Sequence, residues 1–407
     1  MTDTRFIKSI RLRNLLSFGP DTEEFEMKPL NVLIGPNASG KTNFIEAIEI
    51  LRAAPGDIRV PFHKGGGIKE WLWKGEKETN SIEIETKILR ILGPALYEEI
   101  SLRYFLSFSI YGDGLHIGEE IIENEYPKDD EDFIYRNKKG KVVIKVNQSK
   151  EPFFIQKEQV IDNIDTKDKF NPFQSILSQR EDPFSYRQLT SLKQKLREIR
   201  IFDNWTVGKN NISRIPQQSD LPSDFLLESF SNFALIINDL KDRRETKDLI
   251  IEKMKIYYDE FEYLITKIQG GSVQLFIQEK GFKDPIPATR LSDGTLRYLC
   301  LLTILCHPEP PPLICIEEPE IGLHPDIMPT IADLLIDASQ RTQLIVTTHS
   351  DALVSALSET PESVVVCEHD DDGTHMRRLE KDKLDAWLEK YTLGDLWMKG
   401  EIGGTRW

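Results

Sequence analysis

The stretch Gly35-Pro36-Asn37-Ala38-Ser39-Gly40-Lys41-Thr42 has the form G-x-x-x-x-G-K-[ST], the pattern that cradles nucleotide phosphates. Leu30-Asn31-Val32-Leu33-Ile34 runs into it, short and apolar enough for a buried strand. Beyond it Phe44, Ile45, Ile48 and Leu51 recur at helical spacing. Strand, Gly-rich turn and helix form the context the pattern requires. The glycines let backbone N–H groups turn inward as a nest, and the helix N-terminus adds partial positive charge. Lys41 is placed to reach the β- and γ-phosphates and Thr42 to ligate Mg²⁺, with Asn43 opening the helix.

The chain has 407 residues, 39% hydrophobic and 29% charged, which predicts a soluble, ordered protein of more than one lobe. No apolar run reaches the roughly 20 residues of a membrane span. The opening MTDTRFIKSI lacks the apolar core of a signal peptide. Cys300, Cys306, Cys315 and Cys367 sit in apolar stretches without metal-ligand spacing and read as reduced core residues. The expectation is a cytoplasmic protein with no membrane partner. The net charge of −15 speaks against a surface coated in positive charge for nucleic acid. Acids crowd between Glu119 and Asp132, a run that reads as a solvated loop.

Three regions are expected. Residues 1–150 carry the Gly-rich loop and then a period-two pattern from Ser81 to Asn147, an antiparallel meander. Residues 151–270 read as a helical insertion, with helical spacing at Phe173–Arg180 and Ser191–Ile199 and two or three amphipathic helices over Leu221–Ile268. Arg187, Lys193, Lys195, Arg197, Arg200, Lys209 and Arg214 are a basic excess there. It reads first as a solvated helix face and second as a nucleic-acid surface. Residues 271–407 return to alternating strands and helices.

This last region carries chemistry. Leu313-Ile314-Cys315-Ile316 is a buried run ending in Glu317 and Glu318. Acids at the end of a buried strand beside a phosphate loop can hold a Mg²⁺ shell (Glu317) and polarise an attacking water as general base (Glu318). Gln343–Thr347 is a second such strand, and it leads to His349, which can contact a γ-phosphate. Leu291-Ser292-Asp293-Gly294-Thr295 precedes an apolar helix, with Ser292 or Asp293 as its cap. That helix start can also serve as an anion site, across a dimer.

In this order the motifs resemble the ABC-type ATPase heads of the SMC, RecF and OLD group. The likeness is strongest to its stand-alone prokaryotic members, AAA family ATPases without a TOPRIM domain. The matching elements are GPNASGKT, LSDGT at Leu291–Thr295, LICIEEPE at Leu313–Glu320, IGLHP at Ile321–Pro325 and TTHS at Thr347–Ser350. The resemblance implies an α/β P-loop NTPase fold, an ABC-type head with an antiparallel β-meander lobe and a helical insertion. It implies ATP and Mg²⁺ as cofactors. Lys41 and Thr42 become the Walker A residues, Glu317 the magnesium acid, Glu318 the catalytic glutamate and His349 the switch histidine. LSDGT becomes the signature loop, completing the nucleotide site of a second subunit in a head-to-tail homodimer or higher homo-oligomer. Gln179, or alternatively Gln174, is the implied Q-loop glutamine and a third metal contact. Arg13 and Asn14 fall where such heads contact nucleotide. The chain departs from its relatives in having Glu317 where many have Asp. It is too short between Thr42 and Ser292 for SMC coiled-coil arms and too short after His349 for a TOPRIM nuclease. A separate effector protein, nuclease or toxin, is therefore expected, with DNA as a further candidate partner and phage defence or DNA repair as the setting.

Overall fold

The computed structural model describes residues 3–404 apart from 76–78, 94–97, 112–113, 131, 139, 148–155, 162–169 and 206–210, with backbone alone for 111, 146–147 and 156–161. Lys209 and the last three residues of the GGTRW tail lie outside the described residues.

Leu30–Ile34 is buried along its whole length, as a strand covered on both faces must be. Numbered along the chain it is β3, and it lies inside a six-stranded sheet. The order is β10 (Arg200–Phe202), β15 (Leu313–Glu317), β16 (Gln343–Thr347), β3, β17 (Val364–Asp370), β18 (Gly373–Arg378). All neighbours are parallel except the β17–β18 hairpin. Alternation along β3 sends Val32 and Ile34 into one core and Leu33 into the other. The first core holds the helices Phe233–Leu240, Asp293–Leu305 and Met328–Ala338; the second holds Lys41–Ala53.

The expected meander is present within an eight-stranded antiparallel sheet. Its order is β2 (Phe25–Glu26), β1 (Ile7–Arg13), β4 (Ser81–Leu92), β5 (Glu99–Tyr111), β6 (Gly114–Asn124), β7 (Phe133–Lys138), β8 (Lys141–Asn147), β9 (Gln156–Ile161). Helix Lys41–Ala53 is thus packed between the two sheets, its Phe44, Ile45, Ile48 and Leu51 sharing a core with Ile84 and Leu106. The fully buried Gln343 fastens one sheet to the other. Its Oε1 accepts from the N–H groups of Phe6 (3.2 Å) and Ile7 (2.8 Å), and its Nε2 donates to the Ile7 carbonyl at 2.8 Å.

Three expectations change. Residues 151–270 are not wholly helical. After helices Phe233–Leu240 and Arg244–Tyr257 comes a strand, β12 (Phe261–Gln269), where helix was expected up to Ile268. The sequence FEYLITKIQ is rich in β-branched and aromatic residues, and Gly270-Gly271, both at positive φ, turn it back onto β13 (Ser272–Glu279). β11 (Gln217–Gln218) and β14 (Ile286–Pro287) also pair with β13. Secondly, Phe173–Arg180 contributes only a short helical turn, Ile176–Gln179. Thirdly, the acidic run is not all loop. Glu119–Asn124 belongs to β6, and Glu120 is fully buried. Its carboxylate accepts from the Ser175 hydroxyl (2.5 Å), the Ile176 N–H (2.9 Å) and the Tyr104 hydroxyl (2.9 Å).

The four cysteines are buried and unpaired, and burial pushes the Cys306 and Cys367 thiols up to about 12. Among the described residues no helix is long and apolar enough to cross a membrane.

Candidate nucleotide site

Parallel pairing of β10, β15, β16 and β3 brings their carboxyl ends to one edge, where ligands of open α/β sheets bind. β3 delivers the loop 35–42, β15 delivers Glu317 and Glu318, and β16 delivers Thr347 to His349. β10 delivers Asp203, Asn204 and Trp205.

The loop is shaped by backbone conformation. Gly35, Ala38 and Gly40 all have positive φ, and Gly40 caps helix Lys41–Ala53 in the left-handed region. A Cβ on Gly40 would fall 2.2 Å from Thr374 Oγ1, so close approach as well as φ demands glycine there. Lys41 is buried, and its ammonium donates to the carbonyls of Gly35 (2.8 Å) and Pro36 (2.9 Å). Burial lowers its pKa, while Cys367, Glu318 and Glu317 work the other way. Thr42 is exposed, and Asn43 donates to the Ser17 hydroxyl at 2.8 Å.

The acids form a crowded edge. Burial, then the charges of Asp203 and Glu318, push the Glu317 carboxyl up to about 7, with Lys41 partly offsetting them. Glu318 adopts φ 46°, a left-handed conformation unusual outside glycine, and its N–H donates to the Thr347 carbonyl at 2.9 Å. This bend turns its carboxylate towards His349, with Oε1 and Nε2 3.7 Å apart. Burial and the charge of Lys41 hold the His349 pKa down, so the ring is neutral near pH 7. Asp203, Asn204, Trp205, Arg297, Glu317, Glu318 and Ile321 line a cavity of about 300 Å³. Crowded carboxylates form a hard-oxygen donor set that suits a divalent cation. Among the described residues no group of three or more His, Cys, Asp or Glu side chains can hold a metal unaided.

Two residues escaped the sequence reading. Glu320 takes hydrogen bonds from the Thr348 hydroxyl and the His349 N–H, both 2.7 Å, and so sets the turn that presents His349. Trp205 donates from its indole to the Glu317 carbonyl at 2.6 Å, and its own carbonyl accepts from Arg297 of helix Asp293–Leu305 at 2.8 Å. Glu320 closes the LICIEEPE element without a role having been read for it, and Trp205 belongs to no motif. The apolar run before Glu317 signalled the strand, but not the aromatic that would cross it.

The signature segment begins helix Asp293–Leu305 with Ser292 as its cap, accepting from the Thr295 N–H at 3.0 Å. Ser292 and Asp293 are exposed and Leu291 is buried. Asp293 pairs with Arg214. A Cβ on Gly294 would sit 3.0 Å from the Gly322 carbonyl, so the signature start lies against the IGLHP loop of the same chain. Arg13 pairs with Glu83 at 3.6 Å, and Asn14, at φ 56°, accepts at its carbonyl from the Trp73 N–H.

Gln179 makes its hydrogen bonds within its own loop. Its carbonyl oxygen accepts from Asn171 N–H, and its amide donates to the carbonyls of Asn171 and Gln174. The side chain is spent closing its own loop. Gln174 lies in that same loop. The segment that does reach Glu317 is Asp203–Trp205, which the order of strands places at the end of β10.

Residues 30–355 match the family described as "AAA domain, putative AbiEii toxin, Type IV TA system". The DNA replication and repair protein RecF of Streptococcus uberis is 38% identical over 98 residues, which are 24% of each chain. The match therefore spans about a quarter of that relative's length. Two solved SMC heads share the fold. One, bound to the C-terminal winged-helix domain of ScpA, is 14% identical with a TM-score of 0.56, over 93% of this chain and 99% of the other. A second, from Pyrococcus furiosus, has an extended coiled coil and is bound to the C-terminal domain of ScpA. It is 14% identical with a TM-score of 0.55, over 95% and 99%.

Proposed function

This chain belongs to that AAA-domain family, and from that premise we propose an ABC-type ATPase of the SMC/RecF/OLD group, an ATP-hydrolysing switch that works as a head-to-tail dimer. The observation that carries the reading is the convergence of the loop 35–42, Glu317, Glu318 and His349 on one sheet edge, while Ser292 and Asp293 stand exposed on another helix. ATP binds with its phosphates on the loop and Lys41, and the signature of a second copy covers it. Thr42 and Glu317 would hold Mg²⁺, which neutralises charge on the β- and γ-phosphate oxygens when bound. Glu318 takes the proton of the attacking water. His349, fixed by Glu320, donates a hydrogen bond to a γ-phosphate oxygen and registers its departure. Closing with ATP and opening after hydrolysis gives a two-state element.

The biological setting we propose is a bacterial defence system in which the switch holds or releases a separate effector, nuclease or toxin. The family's description, which names a toxin–antitoxin system, supports it. The RecF match supports a second reading, a DNA-repair clamp. The two separate in one experiment: Glu318→Gln, loaded with ATP and Mg²⁺, is used to capture bound macromolecules, and wild-type turnover is measured with and without duplex DNA. The effector reading expects a stable protein partner and no DNA stimulation. The clamp reading expects stimulation that falls steeply between about 50 and 200 mM salt. A Glu318→Gln chain that hydrolyses ATP at the wild-type rate would remove the catalytic assignment from both.

A further inference from the structure

Trp71-Leu72-Trp73 is unabsorbed by the account so far, and the two tryptophans do different things. Trp71 is buried against Phe62, ring centroids 5.0 Å apart. Trp73 is half-buried at the rim of an open cleft of about 560 Å³ whose walls include Leu16, Ser17, Ala38, Asn43 and His369. Ala38 belongs to the Gly-rich loop and Asn43 to the first turn of the helix after it. The cleft therefore starts where the nucleoside end of a phosphate chain would leave the loop.

The position of Trp73 is built rather than incidental. Its N–H donates to the Asn14 carbonyl at 3.0 Å, and the Leu16 N–H donates to the Trp71 carbonyl at 2.8 Å. These bonds flank an antiparallel bridge between Leu15 and Leu72. The indole lies so close to the chain that a Cβ on Gly75 would fall 2.3 Å from it, and one on Gly373 would fall 3.3 Å away. His369 stands edge-on, with ring centroids 6.3 Å apart. An aromatic held this rigidly pays little ordering entropy when a flat ring stacks on it. Asp371, also at the rim, brings acceptor oxygens, a match for an exocyclic amino group.

We infer that this cleft is the base subsite of the nucleotide and that the Trp73 indole is its stacking wall. The inference rests on the proposed phosphate reading of the loop 35–42. Base–aromatic stacking is worth about 1–3 kcal/mol, and tenfold in affinity is about 1.4 kcal/mol.

The test compares ligands with and without a base, by titration calorimetry on the full chain. Trp73→Ala is expected to weaken ATP and ADP about tenfold or more while tripolyphosphate binding stays within about twofold. Trp73→Phe is expected to recover most of the loss. Equal loss of ATP and tripolyphosphate in both variants would overturn the inference, since Trp73 would then only prop the loop. Unchanged ATP affinity in Trp73→Ala would overturn it as well. Independently, ATP is expected to quench wild-type tryptophan fluorescence, and Trp73→Phe to lose most of the quench. A quench that persists in full places the base elsewhere. Lys41→Ala is expected to weaken both ligands; if it weakens neither, the phosphate reading itself fails, whatever Trp73 does.

Discussion

Glu317 and Glu318 are neighbours in sequence with opposite circumstances. Glu317 continues the strand and is crowded by Asp203 and burial, whereas Glu318 turns out of it at φ 46° towards His349. Glu318→Gln keeps the shape and removes the base. Hydrolysis is expected to fall about 10²- to 10⁴-fold, with ATP still retained, as read by phosphate release and filter binding. Glu320→Ala tests a positioning role. It frees the Thr348 hydroxyl and the His349 N–H, and turnover is expected to drop roughly tenfold with KM for ATP within about twofold. A KM shift with unchanged turnover would count against that role. At this scale the residues that meet at the sheet edge were readable as a group because the pattern expected of a phosphate and metal site restricts residue types tightly. Glu320 and Trp205 were not, because their hydrogen bonds join strands far apart in the chain. The bonds of Gln179 were not legible either: a glutamine in the right interval carries no sign of what its amide will bond.

At the scale of elements, β6 shows why a charge run misreads. Side chains alternate across a strand, so Glu120 faces inward and meets Ser175 and Ile176 at the start of a short helix. Burial raises its pKa. A carboxyl whose folded pKa exceeds its unfolded value favours folding most below about pH 4.5. That contribution is lost as pH rises through the folded value. Wild-type stability in urea is therefore expected to fall, relative to Glu120→Gln, as pH climbs above about 4.5. Glu120→Ala, which leaves the Ser175, Ile176 and Tyr104 donors unmet, is expected to cost about 2–3 kcal/mol at low pH. A wild-type curve parallel to that of Glu120→Gln would mean that the carboxyl titrates normally. The meander was legible from its period-two pattern, and β3, β15 and β16 from short apolar runs, whereas β10 lay in the stretch read as helical. β12 was not legible, because its short apolar run fits either period and only its β-branched and aromatic residues and the Gly-Gly turn after it arbitrate.

For the whole molecule, the separation of loop and signature makes a sharp expectation. Lys41→Ala damages one half of a composite site and Ser292→Arg the other, so each chain alone should be nearly inactive. In an equal mixture half the dimers are mixed, and each mixed dimer carries one intact site. Turnover should recover to about a quarter of wild type if the sites work independently. No recovery at any mixing ratio, with mixed dimers demonstrated by tag exchange, would sink the head-to-tail arrangement.

β3 lies between β16 and β17, so the strand that carries the Gly-rich loop is paired only with strands from the far end of the chain. During synthesis it emerges early and must wait for roughly 300 further residues before its neighbours exist. At about 5–20 residues per second the wait is on the order of 15–60 s. A ribosome that stalls anywhere in that interval releases a chain whose loop has no sheet to stand on. Competence to bind nucleotide is thus expected only once β16 and β17 have been made, so a shorter fragment carrying the loop should not bind.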